Sequence, residues 1–138
     1  MTRRLLLLVP LAACFGADPE KEVQDLIASA VSGLGEGKAD IFLDAFDRSM
    51  PGFQKLREYV MTLLTQGDVT GSIEFLANTG DDLERTLSLD WILRLDGKNG
   101  NPGYFQREKT VTCKLKKISK HWKIVSIAPL DFFTPLGG

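Results

Sequence analysis

The chain has 138 residues, 43% of them hydrophobic and 25% charged, with 17 Lys and Arg against 18 Asp and Glu. That length suits one domain around one core, and the composition is that of a globular chain rather than a disordered one. A formal net charge of −1 argues against an electrostatic nucleic-acid binder, which neutralises phosphates with an excess of Lys and Arg.

Arg3 and Arg4 open the chain, and residues 5–13 follow as an apolar run too short to span a bilayer as a helix. Pro10 inside that run conflicts with a helix of the mature fold. The run ends in Leu11-Ala12-Ala13-Cys14, which resembles the lipobox of bacterial lipoprotein signal peptides. An ordinary signal peptidase wants small residues one and three places before its cut. Leu11 and Phe15 occupy the outer place for cuts after Ala13 and Ala17. The resemblance implies removal of residues 1–13, acylation of Cys14, and a linker over 15–17 that holds the domain at a membrane of the cell envelope. Phe15 stands where an aspartate would mark inner-membrane retention, so the outer membrane is favoured where there is one. Buried acyl methylenes contribute about 0.8 kcal/mol each, enough for several chains to anchor firmly. Cys113 is then a lone cysteine in an alternating strand, where a packed, inert thiol is expected and a disulfide is not.

Asp18 is a suitable N-cap and Pro19 a suitable first helical residue. Val23, Leu26, Ile27, Ala30, Val31 and Leu34 recur at three- and four-residue steps and predict a helix that ends in the glycines 33, 35 and 37. A short second helix is predicted over 38–46, with Ile41, Phe42, Ala45 and Phe46 inward. Pro51 starts a third, with Phe53, Leu56, Val60, Leu63 and Leu64 on its inner face as far as Gly67. From Asp68 the period becomes two. Ile73, Phe75 and Ala77 predict one inward row, and Leu87, Leu89, Trp91, Leu93 and Leu95 a second. Val111, Cys113 and Leu115 give a third strand beyond the loop at 96–103, and residues 122–128 a fourth. The expected fold is α+β: N-terminal helices packed on a curved antiparallel four-stranded sheet, wet on its other face. The expected boundaries are a signal at 1–13, attachment and linker at 14–17, and a single domain at 18–138.

This element order, closing on His121-Trp122-Lys123-Ile124-Val125, resembles the nuclear transport factor 2-like superfold. The resemblance implies a cone-shaped sheet around the helices with a pocket between them. The superfold includes isomerases, dehydratases and cyclases as well as binding and dimerising domains, so fold alone does not choose the chemistry. Enzymatic roles do not transfer by position. Asp40 and Asp44 sit on the second helix, Asp90 points away from the core, and Tyr59 and Tyr104 are the available phenols. His121 lies in a turn, unsuited to catalysis in the pocket.

No His or Cys pair has metal-ligand spacing, Asp81-Asp82 reads as a solvated turn, and no cofactor is implied. Phe42, Phe46, Tyr59, Trp91 and Trp122 are the aromatic set available to line a ligand pocket, with core filling as their commoner use. Lys114, Lys116, Lys117, Lys120 and Lys123 read as a solvated sheet face. Leu76, Ile92, Ile118, Val125 and Ile127 would supply apolar area for a homodimer through that face, and the apolar segment 129–135 is expected to dock within its own fold. The functional expectation is a membrane-tethered, non-catalytic envelope domain that binds a small apolar ligand or a protein partner. The alternatives are a small-molecule isomerase, dehydratase or cyclase using pocket Asp and Tyr, and an assembly module.

Overall fold

The computed structural model describes residues 18–97 and 105–137. Cys14, the segment before it, Tyr104 and most of the glycine-rich loop lie outside the described residues. Helix α1 (Pro19–Gly35) starts where the cap pattern places it: Asp18 is extended and its carboxylate accepts from the Lys21 N–H at 3.4 Å. Helix α2 (Ala39–Asp44) is short, and α3 (Phe53–Gln66) runs directly into strand β1 (Gly67–Gly80). Strands β2 (Glu84–Gly97), β3 (Phe105–Ile118) and β4 (His121–Ala128) complete an antiparallel meander in the order β1-β2-β3-β4. A 3₁₀ turn, Leu130–Phe133, follows a cis peptide at Pro129. No helix among the described residues is long and apolar enough to cross a membrane.

The core lies between the helices and the inner face of the sheet. Val23, Ile27, Ala30, Val31 and Leu34 of α1 are buried against it, as are Leu56, Val60 and Leu63 of α3. The predicted rows of β2 and β3 are also buried. Gly71 lets α1 come this close to the sheet, because a Cβ there would stand 3.0 Å from Val31 and 3.1 Å from the Trp91 indole nitrogen. Edge strand β4 is partly covered: Ile124 donates to the Ala45 carbonyl at 2.8 Å and accepts from the Asp47 N–H at 2.9 Å.

Four details differ from the sequence reading. In α2, Leu43 is buried whereas Ile41 is 41% exposed, because the helix ends after six residues and Ile41 leans over Gly33. A bulge between Phe75 and Ala77 reverses the parity of β1, so Ala77 is exposed and Asn78 turns inward. A second irregularity, opposite Lys114 and Leu115, has the same effect in β4. It carries Ile127 into the core and removes it from the outer face. Arg85 joins the inward row of β2 and is buried at its end.

Candidate functional site

The interior of the cone is occupied by the chain itself. Phe132 and Phe133 insert between the helices and the sheet and are 2% and 0% exposed. Phe133 meets Trp91 edge-on at 5.2 Å between ring centroids and Phe42 at 5.8 Å; Phe42 in turn meets Phe46 at 5.2 Å. Two polar clamps hold this C-terminal segment. The Arg107 guanidinium donates to the Phe132 carbonyl at 2.9 Å, and the Gln66 amide both donates to the Leu136 carbonyl and accepts its N–H, at 3.0 and 2.9 Å. Burial pulls the Arg107 pKa below its ordinary value, and the nearby Asp131 carboxylate opposes that pull.

The five aromatic candidates are therefore not brought together around one opening. Phe42, Phe46 and Trp91 pack with the C-terminal phenylalanines and line none of the surface hollows described below. The Trp91 indole N–H is buried beside Gly71 and has no hydrogen-bond partner among the described residues. Trp122 ties β4 to α1 by donating its indole N–H to Glu22 at 2.9 Å, and Lys117 lies over the same ring. Tyr59 is half-buried on α3 beneath Lys55. Phe42, Phe46 and Trp91 thus sit in the core, Tyr59 is half-buried on the helix, and Trp122 alone of the five borders a surface hollow.

Among the described residues, the acid candidates and Tyr59 do not converge either. Asp40 and Asp44 are exposed, and Asp44 pairs with Arg48 at 3.2 Å. Asp90 lies on the outer sheet face, where its hydrogen bond and charge raise the pKa of Glu108. Asp81 accepts the N–H groups of Leu83 and Glu84, both at 2.9 Å, which lowers its own pKa. Among the described residues, no cluster of His, Cys, Asp and Glu could hold a metal ion.

Cys113 is fully buried, and desolvation pushes its thiol up to about 12. The neutral thiol fits the fold, so its contribution to stability is intact below the unfolded value of about 8.5 and is lost as pH rises from there through 12. Native protein at neutral pH should resist a maleimide reagent and be labelled at Cys113 only at the rate of unfolding. Rapid labelling in native buffer would contradict this burial.

Two of the surface hollows among the described residues bear on ligand binding. One, about 480 Å³, is an open depression beside Trp122, lined by Glu22, Asp25, Lys120 and His121. The other, about 510 Å³, is more enclosed and runs between α2 and α3. Its floor is Leu43, Phe53 and Met61, the last 45% exposed, and its rim carries Lys38, Arg48 and Arg57 with Asp40. Phe53, Arg57 and Met61 stand four residues apart and share one face of α3. The sequence reading missed this groove because its lining comes from three separate segments. The one local signal was a second four-residue row beside the buried stripe of α3.

No family model matches the sequence, and no curated protein matches it. Solved structures do match. A candidate aromatic ring hydroxylase from Novosphingobium aromaticivorans has a TM-score of 0.65 at 17% identity, covering 79% of this chain and 85% of its own. An NTF-2 like protein of unknown function from Shewanella oneidensis has a TM-score of 0.62 at 11% identity, covering 80% and 97%. A candidate calcium/calmodulin-dependent protein kinase II association domain from Xanthomonas campestris has a TM-score of 0.59 at 20% identity, covering 80% and 86%. At these identities the likeness is one of fold: the chain has the nuclear transport factor 2-like α+β fold.

Proposed function

We propose that the protein is a non-catalytic binding domain, tethered to a membrane of the cell envelope through an acylated Cys14, that takes a small apolar molecule on its surface rather than inside its cone. The observation that carries the non-catalytic part is the filled interior: Phe42, Phe46, Trp91, Phe132 and Phe133 occupy the space in which an Asp and a Tyr would have to meet. The α2–α3 groove is the better seat for a ligand, since it is more enclosed than the depression beside Trp122 and has an apolar floor. Asp18 caps α1 only four residues after Cys14, so a tether there would keep the domain close to the bilayer. A homodimer through the sheet face is the weaker reading. Ile127 is buried, which removes apolar area from that face, and Asp90, Glu108 and Lys114 make the rest of it charged.

The tether is tested by palmitate labelling and detergent partition of the wild-type chain and Cys14→Ser. The wild type should carry label and enter the detergent phase; the variant should lose all label. Mass spectrometry finding an unmodified mature chain that starts at Met1 would refute the lipoprotein reading.

A further inference from the structure

We infer that the α2–α3 groove is a binding site for an amphiphilic anion, specifically a free medium-chain fatty acid, with its carboxylate on Arg57 and its tail over Met61, Leu43 and Phe53. This rests on the ligand-binding half of the proposed function and not on the tether. The groove is lined by three cations, Lys38, Arg48 and Arg57, together with the carboxylate of Asp40. Two of the three cations are already engaged: Lys38 pairs with Glu36 at 3.3 Å, and Arg48 pairs with Asp44 while lying 5.9 Å from the Phe53 ring centroid. Arg57 makes no hydrogen bond or ion pair among the described residues, so its planar fork is free for bidentate recognition of a carboxylate.

The first turn of α3 adds to this field. It contains no acidic residue, and Gly52 supplies no capping side chain, so the positive pole of the helix dipole is unbalanced next to the groove. The floor supplies the other half of an amphiphile's requirement. Phe53 and Met61 are eight residues apart on α3, about 12 Å along the axis at 1.5 Å per residue. Arg57 stands midway between them on the same face, so a polar anion would leave the flanking apolar side chains unused, and a neutral alkane would leave Arg57 unpaired. An acyl carboxylate satisfies both.

The experiment uses the full chain in phosphatidylcholine nanodiscs, titrated with decanoate and, separately, with decanol. The readouts are the carbon-13 methyl signals of Met61 and of the buried Met50, together with dissociation constants for the wild type, Arg57→Gln and Met61→Glu. Both substituted side chains are exposed, so neither change touches the core. Decanoate should shift the Met61 signal far more than that of Met50 and should bind at least tenfold more tightly than decanol. Arg57→Gln should weaken decanoate about tenfold, the loss expected for a charge-assisted pair at a partly wet site, and Met61→Glu should abolish binding. Equal shifts by decanoate and decanol, unchanged in Arg57→Gln, would overturn anion recognition and leave an apolar-ligand domain. No shift with either compound would overturn both the inference and the binding reading beneath it.

Discussion

Replacing Phe133 by alanine should cost about 3–5 kcal/mol of folding stability, the range for deleting a buried aromatic ring. Phe133 is 0% exposed and touches rings from three parts of the chain: Phe42 on α2, Trp91 on β2 and its neighbour Phe132. Those rings are themselves buried in the core, so most of the cavity should persist. Typical domains hold about 5–15 kcal/mol in total, so this one residue of the tail decides a large share. Urea denaturation should show a lower midpoint with an unchanged slope, and Phe133→Leu should recover most of the loss by refilling the volume. A loss below about 1 kcal/mol in Phe133→Ala would mean that the tail lies on the core without being part of it. That result would also reopen the cone as a ligand site, and with it the enzymatic alternative. Arg107 and Gln66 provide a graded check, because they hold the backbone of the same segment from half-exposed positions. Their substitution should cost less than that of Phe133.

The helices and the two central strands were legible because each buries one continuous face, and a single period of 3.6 or 2.0 then survives in the sequence. Asp18-Pro19 marked the start of α1 and Gly67 the end of α3 for equally local reasons. Parity errors arose wherever a strand carries a bulge. One inserted residue at Leu76 exchanges the faces of Ala77 and Asn78, and another in β4 brings Ile127 inside. Nothing in the local composition marks either place. The use of Phe132 and Phe133 was foreseen only as docking. Their destination depends on the shape of the cone, which is a property of the whole sheet. The aromatic candidates were chosen as pocket residues for their size, and the same size makes them core residues once the tail supplies matching rings. The α2–α3 groove was illegible for a related reason. Lys38, Arg48 and Arg57 are far apart in register, and only the short, early-ending α2 leaves a gap for them to border.

Arg85→Met should destabilise the fold by about 2 kcal/mol even though methionine fills much the same volume, and Arg85→Lys should fall between the two. Arg85 points inward from β2 and is 9% exposed, with no carboxylate among its hydrogen-bond partners. A buried cation is normally costly, and the Asp81 carboxylate offsets part of that cost through its charge alone. Here the guanidinium is shared among neutral acceptors: Nε donates to the Asn78 side-chain oxygen at 2.8 Å, and the terminal nitrogens donate to the carbonyls of Asn78 at 3.1 Å and Asp81 at 3.4 Å. These bonds close the far end of the β1–β2 hairpin just after the bulge that turned Asn78 inward, and Asn78 in turn donates to the Glu20 carbonyl of α1 at 3.0 Å. Arg85 therefore supports a link between the bulged strand and the first helix. Methionine would leave the acceptors unpaired, while lysine, a single point donor, could serve only part of them. The opposing effect is relief of the cation's desolvation, which keeps the expected net loss well below the sum of the bonds. Equilibrium denaturation would measure the order wild type, Lys, Met. Amide exchange should rise first in residues 76–85 if the loss is local to the hairpin. A more stable Met variant would show that the cost of burying the charge outweighs its three hydrogen bonds, and that Asn78 holds its inward place without help from Arg85.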